Sequence, residues 1–361
     1  MKILNVGDFN WMTGAERHTA NLSLFDIRRK FSQAAIRAGH LVVEYSDRAV
    51  ARSSAPFGVR ALGRGAADRR FLQAVDELRP DLIWLHFADD LSNAALAEAR
   101  RLAPGVILAD IQIDPVWTPK TQARMALRKG HVDALFVTTA DPALARFAGP
   151  RAFAAFLPNP VDPSVETGRA FENPAPAFDL VFPASDEAPR AVGSRELSPS
   201  LATALLKSET PGLRLLAPGV GDQPQARGAA YFDALLSARI GWALSRRGDQ
   251  PLYASDRMAH MFGQGLSVLI DRRGGFDRYY DASEAVFYSE LADLSVALAR
   301  LIADDARARA LAERGWRKTW DLFHGDKVMA YVLAQLFDEG GARDQPWPCA
   351  RWAGSGPESG L

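Results

Sequence analysis

Short apolar runs alternate with amphipathic stretches along the first half of the chain. The runs KILNVG, LVVEY, DLIWLHF, GVILADIQI and DALFVTT are rich in Val, Ile and Leu and read as buried strands. Helical patterns lie between them, the clearest from Ser23 to Arg37, closed by Gly39 as a left-handed stop. Strands alternating with helices predict parallel pairing through right-handed crossovers, hence an open doubly wound sheet. The pattern returns in DLVFPAS, LRLLAPG, IGWAL and LSVLIDR, and helical stretches over Leu291–Trp320 and Asp326–Phe337 close this second region.

Between the two regions lies FLPNPVDPSVETGRAFENPAPAF, whose prolines 158, 160, 163, 174 and 176 remove donors that a helix or central strand needs. The expected division is therefore a first domain over 1–160, a proline-rich linker over 161–177 and a second domain over 178–337. After Asp338 the chain is rich in Gly, Pro, Ser and Trp without periodicity, which predicts a disordered tail over 338–361. The fold class is α/β: two doubly wound, Rossmann-like parallel-sheet domains facing a central cleft. Ligands of such sheets bind outside the carboxyl ends of the strands.

A length of 361 residues suits two domains, and 48% hydrophobic content can fill both cores. Lys plus Arg and Asp plus Glu are each 43, so no basic excess marks a nucleic-acid binder. A single cysteine, Cys349, excludes a disulfide framework and a thiolate metal site. Asp8 interrupts the apolar start, and no run approaches ~18 apolar residues, so the expected location is cytoplasmic, extending to the inner face of the membrane.

Standard signatures are mostly missing. No G-x-G-x-x-G follows the first strand, and Gly219 with Gly221 forms only part of one, as a simple turn would. There is no Walker loop and no H-E-x-x-H. His131 and Asp133 suit a cap or a solvated turn, and no Asp-x-Asp pair offers a divalent ion a site. No metal and no cofactor is expected.

The segment LYASDRMAHMFGQGLSVLIDRRGG, residues 252–275, reads as a capped helix running straight into a buried strand. Ser255 or Asp256 can cap it, leaving a positive helix start at which a phosphate can sit. Arg257 in the first turn opposes the macrodipole, which makes sense with an anion beside it and otherwise describes a surface arginine on an ordinary helix. Ser185, Asp186 and Arg190 follow the first strand of this domain, and Arg246 and Arg247 follow IGWALS, where they could neutralise a diphosphate or line a solvated turn. Gly274 and Gly275 could offer backbone N–H groups or simply form a turn.

This segment resembles the donor-binding region of GT-B glycosyltransferases, particularly the CgeB-like, spore-maturation-type group. Arg257, Gly265, SVLID, then Glu284-Ala285-Val286-Phe287-Tyr288 and a helix of leucines and arginines follow that family's order, and Leu157-Pro158-Asn159-Pro160-Val161-Asp162 resembles the element ending its first domain. The resemblance is strongest over 250–320, moderate over 155–165 and fold-level over 1–150. It implies a transferase moving a sugar, hexosyl in type, from a nucleoside diphosphate donor to a hydroxyl of a glycan, lipid-linked glycan or protein. Donor contacts would come from Ser185, Asp186, Arg190, Arg246, Arg247, Tyr253, Ser255, Asp256, Arg257, His260, Gly274, Gly275 and Glu284. Many retaining relatives place two glutamates eight positions apart, the second on the donor ribose; here those positions hold Leu252 and His260. A ribose contact by His260 predicts that glutamate would be accepted there, whereas a packing role predicts that it would not.

In the first domain, Asp8, Asn10, Thr13 and Gly14 follow the first strand and would face the acceptor. Asp47 and Arg48, His86, Asp89 and Asp90, and Asp114 also stand at strand ends. One of His18, His86 or Asp114 could deprotonate an acceptor hydroxyl, and each also suits a structural hydrogen-bonding role. Lys120, Arg124 and Arg128, with Lys129 adjacent, recur on one helix between Pro119 and Gly130. Such a stripe suits an anionic membrane or a lipid-linked acceptor, or is a solvated face. Two other readings are a nucleotide-sugar 2-epimerase on the same fold and a donor-binding scaffold without turnover.

Overall fold

The computed structural model describes residues 1–9, 26–337 and 342–354. The chain forms two compact units, Met1–Pro158 together with the segment from Gly325 onward, and Asn159–His324. In the first, the apolar runs become β1 (Lys2–Val6), β2 (Leu41–Tyr45), β3 (Leu82–His86), β4 (Ile107–Gln112), β5 (Ala134–Val137) and β6 (Phe153–Phe156). They pair in parallel in the order β6-β5-β4-β3-β1-β2, with Ile3 opposite Leu82 and Leu85 opposite Asp110. Helices over Ile27–Arg37, Asp47–Ser53, Arg60–Leu78, Asn93–Leu102 and Pro119–Arg128 make the crossovers. The side chains of Asp26, Ser46, Ser92 and Thr118 accept from first-turn N–H groups of four of these helices, which fixes where each begins. Leu4, Val6, Ile83, Leu85 and Leu108 fill one face of the sheet together with Phe71, Val75 and Leu96.

The second unit holds β7 (Phe178–Val181), β8 (Arg190–Val192), β9 (Arg195–Leu197), β10 (Leu215–Leu216), β11 (Ala238–Trp242), β12 (Ser267–Asp271) and β13 (Val286–Tyr288). Five pair in parallel as β10-β7-β11-β12-β13, while β8 and β9 form a separate hairpin. The chain runs from β7 to β10 on one side, then crosses to β11 on the other. The strand order thus reverses at β7 and β11, the place where sheets of this kind bind ligands. The helical stretch expected over Leu291–Trp320 is two helices, Leu291–Ala303 and Asp305–Phe323, broken at Asp304, whose carboxylate accepts from Arg307 N.

Three features of the expected division differ. The proline-rich stretch is not an exposed linker: Val161, Asp162, Val165, Glu166 and Ala170 are buried in the second unit. The donors left after its prolines find partners, Val161 N on Phe323 O, Asp162 N on Glu166 and Ala170 N on Gln264 O. The final helix, Gly325–Phe337, belongs to the first unit, where the Tyr331 hydroxyl donates to Phe156 O at 2.9 Å and Arg37 pairs with Asp326. Residues 342–354, expected to be disordered, carry a short strand, Trp352–Ala353, that pairs antiparallel with the outer edge of β6. Trp347 is buried against the Tyr331 ring, and Gln335 donates to Cys349 O, so tryptophans and side-chain hydrogen bonds order a segment that lacks any periodicity. Among the described residues no helix is long and apolar enough to cross a membrane.

Candidate functional site

Three arginines converge at the switch point of the second sheet. Phe182, directly after β7, is fully buried, and the guanidiniums of Arg257 and Arg190 lie over its ring at 5.7 and 6.0 Å. The loop from Ser185 to Arg190 is pinned by Gln225 Nε2 on Ser185 O and by Glu187, which accepts from Ser200 and Gly221. Ala191 N donates to Arg246 O, tying the β8–β9 hairpin to the loop after β11. Arg257 Nη1 donates to Leu244 O at 2.7 Å, tying the helix Asp256–Gly263 to the same loop.

The charges do not balance. Asp186 accepts from Arg246 at 2.6 Å and stands 3.7 Å from Arg190, one carboxylate among three guanidiniums. Against its burial, Arg246, a hydrogen bond from Ala188 N and Arg190 hold the Asp186 carboxyl below its ordinary pKa. Arg190 is only 3% exposed; burial, and then the charge of Arg257, bring its guanidinium down to about 10. Its Nε is buried with no hydrogen-bond partner, a costly state for a charged group. Burial also lowers the Arg257 guanidinium.

Other expected donor contacts are distributed around this core. Ser185 Oγ donates to Asp186 at 3.3 Å. Ser255 occupies the helix N-cap without a side-chain capping bond, and Asp256 Oδ1 is buried without a partner. Tyr253 lies close enough to Arg190 and Arg257 to favour their charged forms. Arg247 is turned to Asp249, with contacts of 2.9 and 2.5 Å. Gly274 ends a 3₁₀ turn, accepting from Leu252 N, and Gly275 adopts φ +76°. Glu284 closes a local turn by accepting from Asp281 N.

His260 follows Arg257 on the same helix and is buried, its ring edge-on to Tyr231 and Phe232. Its Nδ1 lies 2.6 Å from Glu166 Oε1, and the other Glu166 oxygen accepts from Asp162 N. Glu166 and Phe182 were missed in the sequence. Glu166 falls in the stretch read as a linker, and Phe182 reads as one more strand residue.

In the first unit an ion-pair chain crosses the carboxyl ends of the strands. Arg48 reaches Asp8 at 3.5 Å and Asp89 at 3.1 Å, and Arg124 joins Asp89 at 2.8 Å to Asp114 at 3.2 Å. Asp114 is half exposed. His86 is 1% exposed, packed against Phe31 and Trp84, and burial followed by Arg28 lowers its pKa well below the ordinary value. It stays neutral inside the core. Asn10, Thr13, Gly14 and His18 lie outside the described residues. The expected cationic stripe is not a surface: the Arg124 and Arg128 side chains are only 9% and 4% exposed, and Arg128 donates to Asn93, Ala88 O and Leu91 O. Lys120 and Lys129 point outward. The Asp89 and Asp114 carboxylates hold the Arg124 guanidinium, and the Ala88 and Leu91 carbonyls hold that of Arg128. Among the described residues no cluster of three or more His, Cys, Asp or Glu is arranged to hold a metal.

A family model described as glycosyl transferase-like matches residues 195–334. No curated protein matches the sequence. The chain is similar to the solved structure of Anabaena Alr3699/HepE in complex with UDP and glucose, with TM-score 0.55, 14% identity and coverage of 93% of this chain and 99% of that one. It is similar to sucrose-phosphate synthase from Thermosynechococcus elongatus, with TM-score 0.56, 13% identity and the same coverages. It is also similar to a Listeria monocytogenes protein described as a UDP-N-acetylglucosamine 2-epimerase, with TM-score 0.52, 11% identity and coverage of 96% and 98%. These likenesses show the fold, the two Rossmann-like domains of the GT-B architecture.

The first unit carries a pH signature. Asp110, buried on β4 beside Gln112, has its carboxyl pushed up to about 6 by burial, against the Gln112 hydrogen bond and the charges of Arg128 and Arg124. A raised carboxyl favours folding while protonated, and this contribution is lost as pH rises from the ordinary carboxyl range through 6. Asp110→Asn is uncharged throughout. Urea unfolding should show its stability relative to wild type improving by about 1 kcal/mol between pH 5 and pH 7. A difference independent of pH would show that Asp110 titrates normally.

Proposed function

We propose that this protein is a GT-B glycosyltransferase and that the diphosphate of a nucleoside diphosphate-sugar occupies the arginine cluster. The observation that carries this reading is Arg190, a buried guanidinium with an orphaned Nε, crowded by Arg257 and sharing one carboxylate with Arg246. A diphosphate would relieve the repulsion and supply acceptors, and the start of the Asp256–Gly263 helix adds its partial charge. When the sugar leaves, the negative charge that develops on the departing diphosphate would meet donors already in place. The match of the glycosyl transferase-like model to 195–334 supports the same assignment, and the order from Arg257 to Tyr288 supports the CgeB-like group within it.

The acceptor would be a hydroxyl of a glycan, lipid-linked glycan or protein, held by the first unit. Asp114 is the exposed candidate for its base, oriented by Arg124. A nucleotide-sugar epimerase could use the same anion site, and the likeness to the Listeria protein favours it as the second reading. Product analysis separates the two: free nucleoside diphosphate that appears only with an acceptor means transfer, and an isomerised sugar without acceptor means epimerisation.

Arg257→Ala and Arg190→Ala should each weaken UDP or GDP binding by ~1.5–3 kcal/mol in calorimetry, the size of a charge-assisted hydrogen bond. Arg247→Ala, at a side chain turned to Asp249, should leave affinity unchanged. Equal affinities in folded Arg190, Arg257 and wild-type proteins would remove the diphosphate from this site.

Catalysis should survive EDTA, since guanidiniums and a helix start can neutralise the leaving group without a divalent ion. Loss of turnover restored by magnesium or manganese would overturn the metal-independent mechanism.

His260 would reach the ribose, with Glu166 holding its ring. His260→Ala should then raise the donor KM and spare the acceptor KM, whereas a lowered melting temperature with donor KM unchanged would leave packing as its role. His260→Glu should lower the melting temperature in either case, because it sets a second carboxylate against Glu166.

A further inference from the structure

We propose that the turn around Phe57 is a contact site for an anionic lipid bilayer, independent of the donor site. Phe57 links the helices Asp47–Ser53 and Arg60–Leu78, and its ring is fully exposed. Its backbone is left-handed, φ +56°, a conformation that a bulky side chain adopts at a cost, and Gly58 follows at φ +68°. These two residues turn the aromatic ring away from the fold. Val59 and Leu62 are also exposed, so three large apolar side chains stand in water within six residues. Strain and exposure both work against folding, and contact with an apolar phase would offset them.

The surroundings identify that phase. The outward charges beside the apolar tip are cationic. The Arg52 side chain lies against Gly58, its Cγ 3.5 Å from where a Cβ would be, and Arg69 runs back over Gly65 toward the tip, its Nη1 3.7 Å from the corresponding point. Leu62 and Arg69 are seven residues apart and share one helix face. Nearby acids are already engaged: Asp47 and Asp90 are buried, Asp90 is paired with Arg60 and Arg64, and the part-exposed Asp68 accepts from Ser92 N. The base of the tip is rigid, because Gly63 approaches Ala51 O so closely that a Cβ would fall 1.7 Å from it. An aromatic and aliphatic tip edged by arginines matches the acyl boundary and phosphate layer of an anionic leaflet. This surface takes the place of the helix carrying Lys120, whose arginines face inward.

Flotation of the full chain with vesicles tests this. Wild type should bind phosphatidylcholine vesicles containing phosphatidylglycerol, bind pure phosphatidylcholine far less, and be released by high salt. Phe57→Gly suits the left-handed backbone and deletes the ring, so it should fold at least as stably yet bind about tenfold more weakly. Leu62→Ser and Arg69→Glu should also weaken binding, and Lys120→Glu should not. The proposal is overturned if wild type ignores anionic vesicles, if Phe57→Gly binds like wild type, or if neutral vesicles bind equally. It is also overturned if sedimentation shows a dimer that Phe57→Gly abolishes, which would make the tip an interface between copies of this chain.

Discussion

The second unit is organised around a repulsion. Arg190, Arg246 and Arg257 are held within reach of one carboxylate, Asp186, and two of them over one ring, Phe182. Arg190 is buried and Arg246 and Asp186 are part-exposed, so the crowding is most unfavourable at Arg190, and backbone ties hold the segments that carry the cluster. Arg190 opens a hairpin tied by Ala191 to the Arg246 carbonyl, and Arg257 is tied to Leu244 O. Each tie spans an element that begins or ends at the switch point between β7 and β11. The sheet order, the hairpin and the short helix can therefore be understood together as supports for concentrated positive charge.

The far end of that short helix is held with equal care. Gln264 receives Gly168 N on its side chain and Ala170 N on its carbonyl, and Glu166 meets His260. The segment that precedes β7 thus clamps the carboxyl end of the helix while Leu244 O holds its start. Rotating the helix would break contacts at both ends. The position of Arg257 follows from this double anchorage more than from any single bond.

Much of this was legible in the chain. Parallel strands buried on both faces read as continuous Val, Ile and Leu runs, so the central strands fall where the runs do. Arg257 was legible because a cation in a first turn contradicts the macrodipole, and Arg190 and Arg246 because they follow apolar runs. The misreadings share a cause: local pattern reports which residues share a face, not what that face meets. The four-residue spacing of Lys120, Arg124 and Arg128 correctly places them together, but Asp89, Asp114 and the Ala88 and Leu91 carbonyls come from distant segments. Prolines correctly marked Leu157–Ala177 as irregular, yet irregular backbone can be buried when Phe323, Glu166 and Gln264 accept its donors. Residues 342–354 have no period at all, and only the free edge of β6 makes a strand of Trp352–Ala353.

The return of the chain to the first sheet has a consequence for biogenesis. The second unit is a continuous stretch, Asn159–His324, inserted into a first unit whose helix Gly325–Phe337 and edge strand come from beyond it. During synthesis from the amino end, the six parallel strands of the first sheet emerge early but lack their last helix and their covered edge. The inserted unit has all of its own strands once His324 has emerged. The insert's strands are therefore complete while the older unit still has an open β6 edge, a template for strand pairing until Trp352–Ala353 covers it. The order of maturation runs opposite to the order of translation.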